Sequence, residues 1–348
     1  MDYANKKKYF KEKFFIMLIF LFIVIVISAT LGVANVSFLD SIRIILDKIP
    51  LIEKLINTND IKEVYQKIIL MIRLPRILLA GLVGAGLSTV GCSYQGIFKN
   101  PMADPYVLGV STGAALGATI AIIFGFTISF FGLGIITFSA FSGAIVTIIV
   151  VYNIARVGNK VPVVNMLLSG IAVNFFLGSI ISLLMVFHRD NVEKIIFWTM
   201  GSFSAADWER VIVITPIIII GIIMVYIYAR DLNIMLTGES SAQSLGINVE
   251  TVKKQLLLIT SIMVASAVSV SGVIGFVGLL VPHAFRLMIG PEHKVLIPYS
   301  AVGGAIFLII CDTLARNLIP PTEIPVGAIT SLFGAPFFIY LLWKNNKK

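Results

Sequence analysis

Charge is scarce in this chain. Lysine, arginine, aspartate and glutamate make up 13% of its 348 residues, roughly half the ~25% typical of soluble domains. Cysteine is scarcer still: Cys92 and Cys311 are the only two, both inside apolar runs. Neither a disulfide framework nor a cysteine metal site can be built from them, and both read as small packing residues. The three histidines show no HExxH and no paired spacing, so no zinc motif is present. No Gly-Lys dipeptide occurs, which excludes a phosphate-cradling GxxxxGK[ST] loop and ATP binding of that kind. The formal charge of +9 does not point to nucleic acid, because the basic residues are dispersed over loops and tails. No cofactor is expected.

What fills the chain is apolar sequence, 58% of all residues, in long unbroken blocks rather than at one-face helical spacing. A helical membrane span needs about 20 such residues, and the blocks lack the apolar–polar alternation of a membrane β-barrel. The sequence therefore predicts an all-α polytopic membrane protein. Apolar stretches fall near residues 14–36, 74–97, 106–126, 133–152, 164–187, 211–229, 255–275, 296–312 and 325–343, and a shorter one runs over 276–290. Counting the short one gives about ten spans. The first block follows "NKKKYFKEK", is too long for a signal-peptide core and has no clear cleavage site, so it is kept as a span.

Charge sets the orientation. With ten spans and the amino terminus inside, sixteen of the 27 basic residues face the cytoplasm. Seven of the remaining eleven sit in 43–76 among four acidic residues. The positive-inside rule then places both termini in the cytoplasm. This divides the chain into a tail (1–13), one transmembrane domain (14–343) and a second tail (344–348). Segment 37–72 is extracytoplasmic and loop 230–254 cytoplasmic.

In "AGLVGAGLSTVGCSYQG", Ala80, Gly84, Ser88, Cys92 and Gly96 recur every four residues, a groove of small side chains that lets another helix backbone approach. A weak echo links the second span and its following "NP" to the seventh and its "VP", as an inverted repeat would. "GVSTG" at 109–113 matches a hydrolase nucleophile elbow but follows "NPMADPYVL" and opens a span, so hydrolase chemistry is set aside. His283 and Arg286, three apart, share a helix face near the bilayer edge.

"LTGESSAQSLGINVE", 236–250, is polar sequence between two apolar runs. Thr237 is placed to cap a short helix with Glu239 in its first turn, Gly246 to end that helix in a left-handed conformation, and Asn248 to cap the next. The result is a stiff cytoplasmic hairpin whose small residues suit docking to another protein, although an ordinary capped loop would look the same.

Five stretches carry a resemblance: "RLPRILLAGLVGAGLSTVGCSYQGIFKNPMADPYVLGVSTGAALGA" (73–118), "GESSAQSLGINV" (238–249), "GFVGLLVPHAFRLMIGPEH" (275–293), "CDTLAR" (311–316) and "TEIPVGAITSLFGAPFFIYLL" (322–342). Together they resemble the permease subunits of bacterial ABC importers for iron-siderophores, haem and cobalamin, over nearly everything after residue 70. The resemblance implies a cobalamin-permease-like bundle of ten helices in the cytoplasmic membrane. It implies a second permease subunit, two cytoplasmic ATPase subunits and an extracytoplasmic substrate-binding protein. It makes the hairpin the ATPase-coupling element, with Glu239, Ser241, Ala242, Leu245 and Gly246 as contacts. It makes Arg73, Arg76 and Arg316 the docking residues for carboxylates of the binding protein; the alternatives are interfacial anchoring or an internal pair of Arg316 with Asp312. Asn100 and Met102 after the second span, and Val163 and Val164 opening the fifth, become candidate gate residues.

The implied activity is import of an iron chelate, siderophore or haem, by alternating access powered by the separate ATPase, with no covalent chemistry here. A cobalamin importer of the same family is the alternative. An ion-coupled secondary transporter would need acidic residues at mid-membrane, which the spans nearly lack. Segment 37–66 matches no part of the family pattern and reads as one or two amphipathic outer helices.

Overall fold

An amide left unpaired in hydrocarbon costs several kcal/mol, roughly, so so apolar a chain must close its hydrogen bonds within each segment. The computed structural model does this with helices. It describes residues 3–32, 34, 36–48, 57–58, 60–125, 129–130, 133–158 and 160–345. In chain order these are α1 (Tyr3–Thr30), α2 (Phe38–Leu46), α3 (Glu63–Lys67), α4 (Leu74–Ile97), α5 (Val110–Phe124), α6 (Ile135–Ala155), α7 (Val163–Phe187) and α8 (Val192–Thr199). There follow α9 (Trp208–Ile227), α10 (Ala229–Met235), α11 (Glu239–Ser244), α12 (Val249–Ser271), α13 (Val277–Ile289), α14 (His293–Asn317) and α15 (Val326–Asn345). A π-helical stretch, Ile68–Arg73, joins α3 to α4. A two-residue antiparallel hairpin, β1 (Ser129–Phe130) with β2 (Leu133–Gly134), precedes α6.

Seven of these helical segments are long and apolar enough to span a membrane, and three shorter apolar helices, Val110–Phe124, Val277–Ile289 and Val326–Tyr340, stand beside them. Together they make up the ten predicted from hydropathy. Of the outer helices expected over 37–66, α2 is present, while 49–56 lies outside the described residues.

The core is built on α4, whose residues are buried at nearly every position. Its small-residue stripe is the reason. At Gly84 an added Cβ would overlap the Gly304 carbonyl and stand 2.9 Å from the Leu308 Cβ, and at Gly304 the reciprocal Cβ would overlap the Gly84 carbonyl. The backbones of α4 and α14 therefore touch. Gly91 meets Gly278 of α13 in the same way, and Gly96 meets the His293 ring. In lipid, where apolar side chains gain nothing by leaving water, such close packing holds helices together.

Two helices stop short. Gly278, at the start of α13, packs on Pro105 and on the Leu87 carbonyl, and Leu87 lies midway along α4. Residues 98–109 consequently fold back into the bundle, and α5 starts at its middle. There the Tyr106 hydroxyl donates to the Ile274 carbonyl (3.0 Å) and accepts from the Ile274 amide (3.3 Å). Each of the long helices α4 and α12 is thus followed by a turn and a short helix beginning at mid-depth.

Candidate functional site

Polar residues gather at the two ends of the bundle. At one end, the Phe10 carbonyl accepts the Tyr299 hydroxyl (2.7 Å) and Asn233 accepts the His293 amide (2.9 Å). Phe337 and Phe338 of α15 close on Met102 and His283. These contacts bring the starts of α1 and α14, helix α10, and the latter part of α15 to the same end.

The 236–250 hairpin stands at this end. Gly238, not Thr237, is the residue before α11, and it offers no side-chain cap; the Thr237 hydroxyl donates instead to the Ile234 carbonyl (2.8 Å). Thr237 turns back because the chain continues helically through α10 and a turn, leaving its hydroxyl beside that carbonyl rather than ahead of α11. The far side of α11 closes as the sequence predicts. Gly246 is left-handed (φ +83°), its amide donates to the Gln243 carbonyl (2.9 Å), and the Ile247 amide donates to the Ala242 carbonyl (3.0 Å). This double bond is a Schellman C-cap. Asn248 caps α12 through the Thr251 amide (3.1 Å).

Of the five expected contact residues, Glu239, Ser241, Leu245 and Gly246 are exposed, with Leu245 at 68%. Ala242 is fully buried. It packs against the bundle, whereas Leu245 lies just past the last residue of α11, so Ala242 holds the hairpin down rather than presenting a surface. A charged cluster lies beneath. The Lys253 side chain is 5% exposed and meets Glu239 (2.7 Å) and Glu250 (3.5 Å). The second Glu250 oxygen accepts the Val161 amide (3.0 Å), in the turn before α7. Neither Lys253 nor Glu250 stands out in the sequence; the available signal was their i, i+3 spacing at a helix start.

The opposite end holds the three arginines. Arg73 donates to the carbonyls of Ala29 (2.6 Å), Thr30 (2.9 Å) and Ala34 (2.7 Å), a cation closing the carbonyl end of α1. Arg76 grips Asp312 with Nε and Nη2 (2.9–3.1 Å) and reaches Glu323 with Nη1 (2.8 Å). Arg316 donates to the Ser28 carbonyl and hydroxyl (2.5 and 2.7 Å) and lies 3.8 Å from Asp312. Arg73 and Arg76 are buried. None of the three extends a free fork to the surface: helix packing brings acceptors to them that the sequence does not display. The Asp312–Arg316 pair foreseen as an internal alternative is present but longer than the Asp312–Arg76 pair.

The candidate gate residues divide into two groups. Asn100 is exposed and accepts the Met102 amide (2.9 Å), while Met102 lies with His283, Leu279 and Phe337. Val163 and Val164 open α7, and Val164 is 65% exposed. His283 and Arg286 share α13, but Arg286 donates to Gln95 (3.1 Å) rather than to the histidine.

This helix set, with a capped hairpin at one end and broken helices at its centre, matches the FecCD transport family model across residues 19–344. The chain belongs to the FecCD transport family. It is similar to the cobalamin import permease BtuC of Halobacterium salinarum, 44% identical over 81% of this chain and 75% of that one. It is 39% identical to the hemin transport permease HmuU of Yersinia pestis, over 96% of this chain and 97% of the other. The iron(3+)-hydroxamate permease FhuG of Bacillus subtilis is 37% identical, over 94% and 96%. Among solved structures, an inward-facing conformation of a metal-chelate type ABC transporter superposes with a TM-score of 0.82 at 30% identity, over 96% of this chain and 99% of that one. The chain is thus a multi-pass permease of the ABC importer class, a class that works with ATPase and substrate-binding partners.

Proposed function

We propose that this permease carries an iron chelate, a siderophore or haem, across the cytoplasmic membrane by alternating access, and performs no covalent chemistry itself. The observation that carries this reading is the rigid hairpin 239–246, capped at its carboxyl side and exposing Leu245, in a chain whose relatives over nearly full length are hemin and hydroxamate permeases. Cobalamin is the second reading, favoured by the 44% identity to a cobalamin permease.

In this reading the hairpin end is cytoplasmic, with both termini, and seats in one of two ATPase subunits. Only 11% of the apolar window of α7 is buried within the chain, and its open groove is lined by Ser179 and Ser182, with Asn174 tied to Thr112 of α5 at its edge. Those side chains suit a translocation path shared with a second permease subunit better than lipid. Asn100, Met102, Val163 and Val164 narrow the inner mouth. The arginine end meets the binding protein. There Arg73 and Arg316 hold the rim in shape, and Arg76 keeps Asp312 while its half-exposed partner Glu323 can give way to a carboxylate of the docked protein.

The test is uptake into proteoliposomes holding the permease, its ATPase and its binding protein, with ferric hydroxamate, haemin and cyanocobalamin as cargoes. ATP-dependent uptake of one of the first two supports the main reading, and uptake of cyanocobalamin alone selects the second. Uptake that persists with an ATPase lacking its catalytic glutamate refutes both.

A further inference from the structure

A lysine buried at the rim of a membrane protein needs a reason, because leaving an ammonium out of water without a partner is costly. Lys253 is 5% exposed and has two partners from different elements, Glu239 of α11 at 2.7 Å and Glu250 of α12 at 3.5 Å. Glu250 is engaged on its other side as well, accepting the Val161 amide at 3.0 Å. Val161 is 2% exposed, and Pro162 after it precedes the first residue of α7. Charged and hydrogen-bonded groups therefore run without a break from the first turn of the hairpin helix, through Lys253 and Glu250, to the backbone that opens α7. Residues 239 and 161 belong to elements far apart in sequence, and this is the polar path that joins them.

We infer that Lys253 and Glu250 are positioning residues that lock the coupling hairpin to the start of α7, so that displacement of the hairpin by the ATPase moves Val163 and Val164 with it. The inference rests on the coupling reading above and deepens it, since it names the parts through which the ATPase reaches the gate. Its geometry has a physical logic. A hairpin fixed by apolar contact alone could slide on the bundle, whereas a buried charge held between two carboxylates resists shear, because separating either pair exposes an unpaired charge. Glu250 is suited to the junction because its two oxygens act on different elements at once. A purely local role would need only the Glu239–Lys253 pair, and the bond from Glu250 to the Val161 amide would have no purpose.

The test uses the whole importer in proteoliposomes, with spin labels at Ser241→Cys and Val164→Cys. In the otherwise native chain the distance between the labels stays constant when ATP is added, because hairpin and α7 start move as one body. In Lys253→Met the same distance shifts on ATP addition by about 2 Å or more. Stimulation of ATP hydrolysis by the binding protein falls at least about fivefold, the scale of a coupling free energy, while basal hydrolysis persists. Lys253→Arg restores both. A Lys253→Met complex with constant distance and full stimulation overturns the inference. If Lys253→Met fails to assemble, Glu250→Ala decides, since it spares the Glu239–Lys253 pair and removes the link to Val161 together with the longer Lys253–Glu250 contact; native behaviour of that variant likewise overturns it. Leu245→Asp tests the parent reading separately. Loss of the ATPase from that variant upholds the coupling surface, and retention removes it, whatever the label distances show.

Discussion

Removing Asp312 should be among the most damaging single changes to this fold. Its carboxylate is 1% exposed, receives three hydrogen bonds from Arg76 at 2.9–3.1 Å, and lies 3.8 Å from Arg316. In Asp312→Ala, Arg76 keeps only Glu323, itself 40% exposed, and Arg316 loses its nearest carboxylate. Stripping one partner from a buried pair costs about 3–5 kcal/mol. The surviving Glu323 contact argues for the low end, about 3 kcal/mol, and the unfolded state within a bilayer lowers such values further. At roughly 2 °C per kcal/mol for a large chain, the midpoint of thermal unfolding in detergent should drop by about 6 °C. Replacing both partners, in Arg76→Met with Asp312→Leu, removes the tightest buried pair together and leaves Arg316 on its Ser28 acceptors, so the double variant should be less destabilised than Asp312→Ala alone. Tryptophan fluorescence or the monodisperse fraction after heating reads the outcome. A negligible shift for Asp312→Ala, or a double variant as unstable as the sum of the singles, would refute the view that these arginines hold the fold. The charge reversals that would probe docking by Arg73 and Arg76 must then be judged against lost stability, with Glu323→Lys as the gentler probe of the rim.

Three further outcomes follow from the packing. Gly84→Ala should lower stability by about 1–3 kcal/mol, because its Cβ meets the Gly304 backbone, a group that cannot rotate away; Gly134→Ala, with nothing within 4 Å, should stay within about 0.5 kcal/mol in the same melt. Gly246→Ala puts a Cβ on a left-handed residue (φ +83°), at a cost of about 1 kcal/mol to the hairpin, which should weaken ATPase co-purification about fivefold. Cys92 and Cys311 are 0% and 1% exposed, so a membrane-permeant maleimide should label neither in the folded protein and both after denaturation; fast labelling of the native state would contradict the α4–α14 packing.

Much of the molecule is legible along the chain. The ten apolar helices follow from block length, and Gly246 and Asn248 follow from the φ that only glycine accepts freely and from the reach of one side chain to an amide three residues on. The small-residue stripe foretells a close helix contact but not which helix supplies it. Thr237 and Ala242 show the limit: both lie in a polar stretch that reads as a surface, yet one turns back to Ile234 and the other is buried. On a helix of one and a half turns, a single residue of phase decides which side faces out, and phase is set by packing beneath.

By itself, then, the sequence determined that this is an all-helical membrane protein carrying the motifs of a permease family, because hydropathy, capping and motif spacing act over a few residues of one segment. The tertiary structure decided what its charges do. Arg76 meets Asp312 across 236 positions and Glu250 meets Val161 across 89, contacts that exist only once helices have packed. The tertiary structure also showed that residues 98–109 dip to the bundle's centre, since only the approach of Gly278 to Pro105 and Leu87 sets their depth.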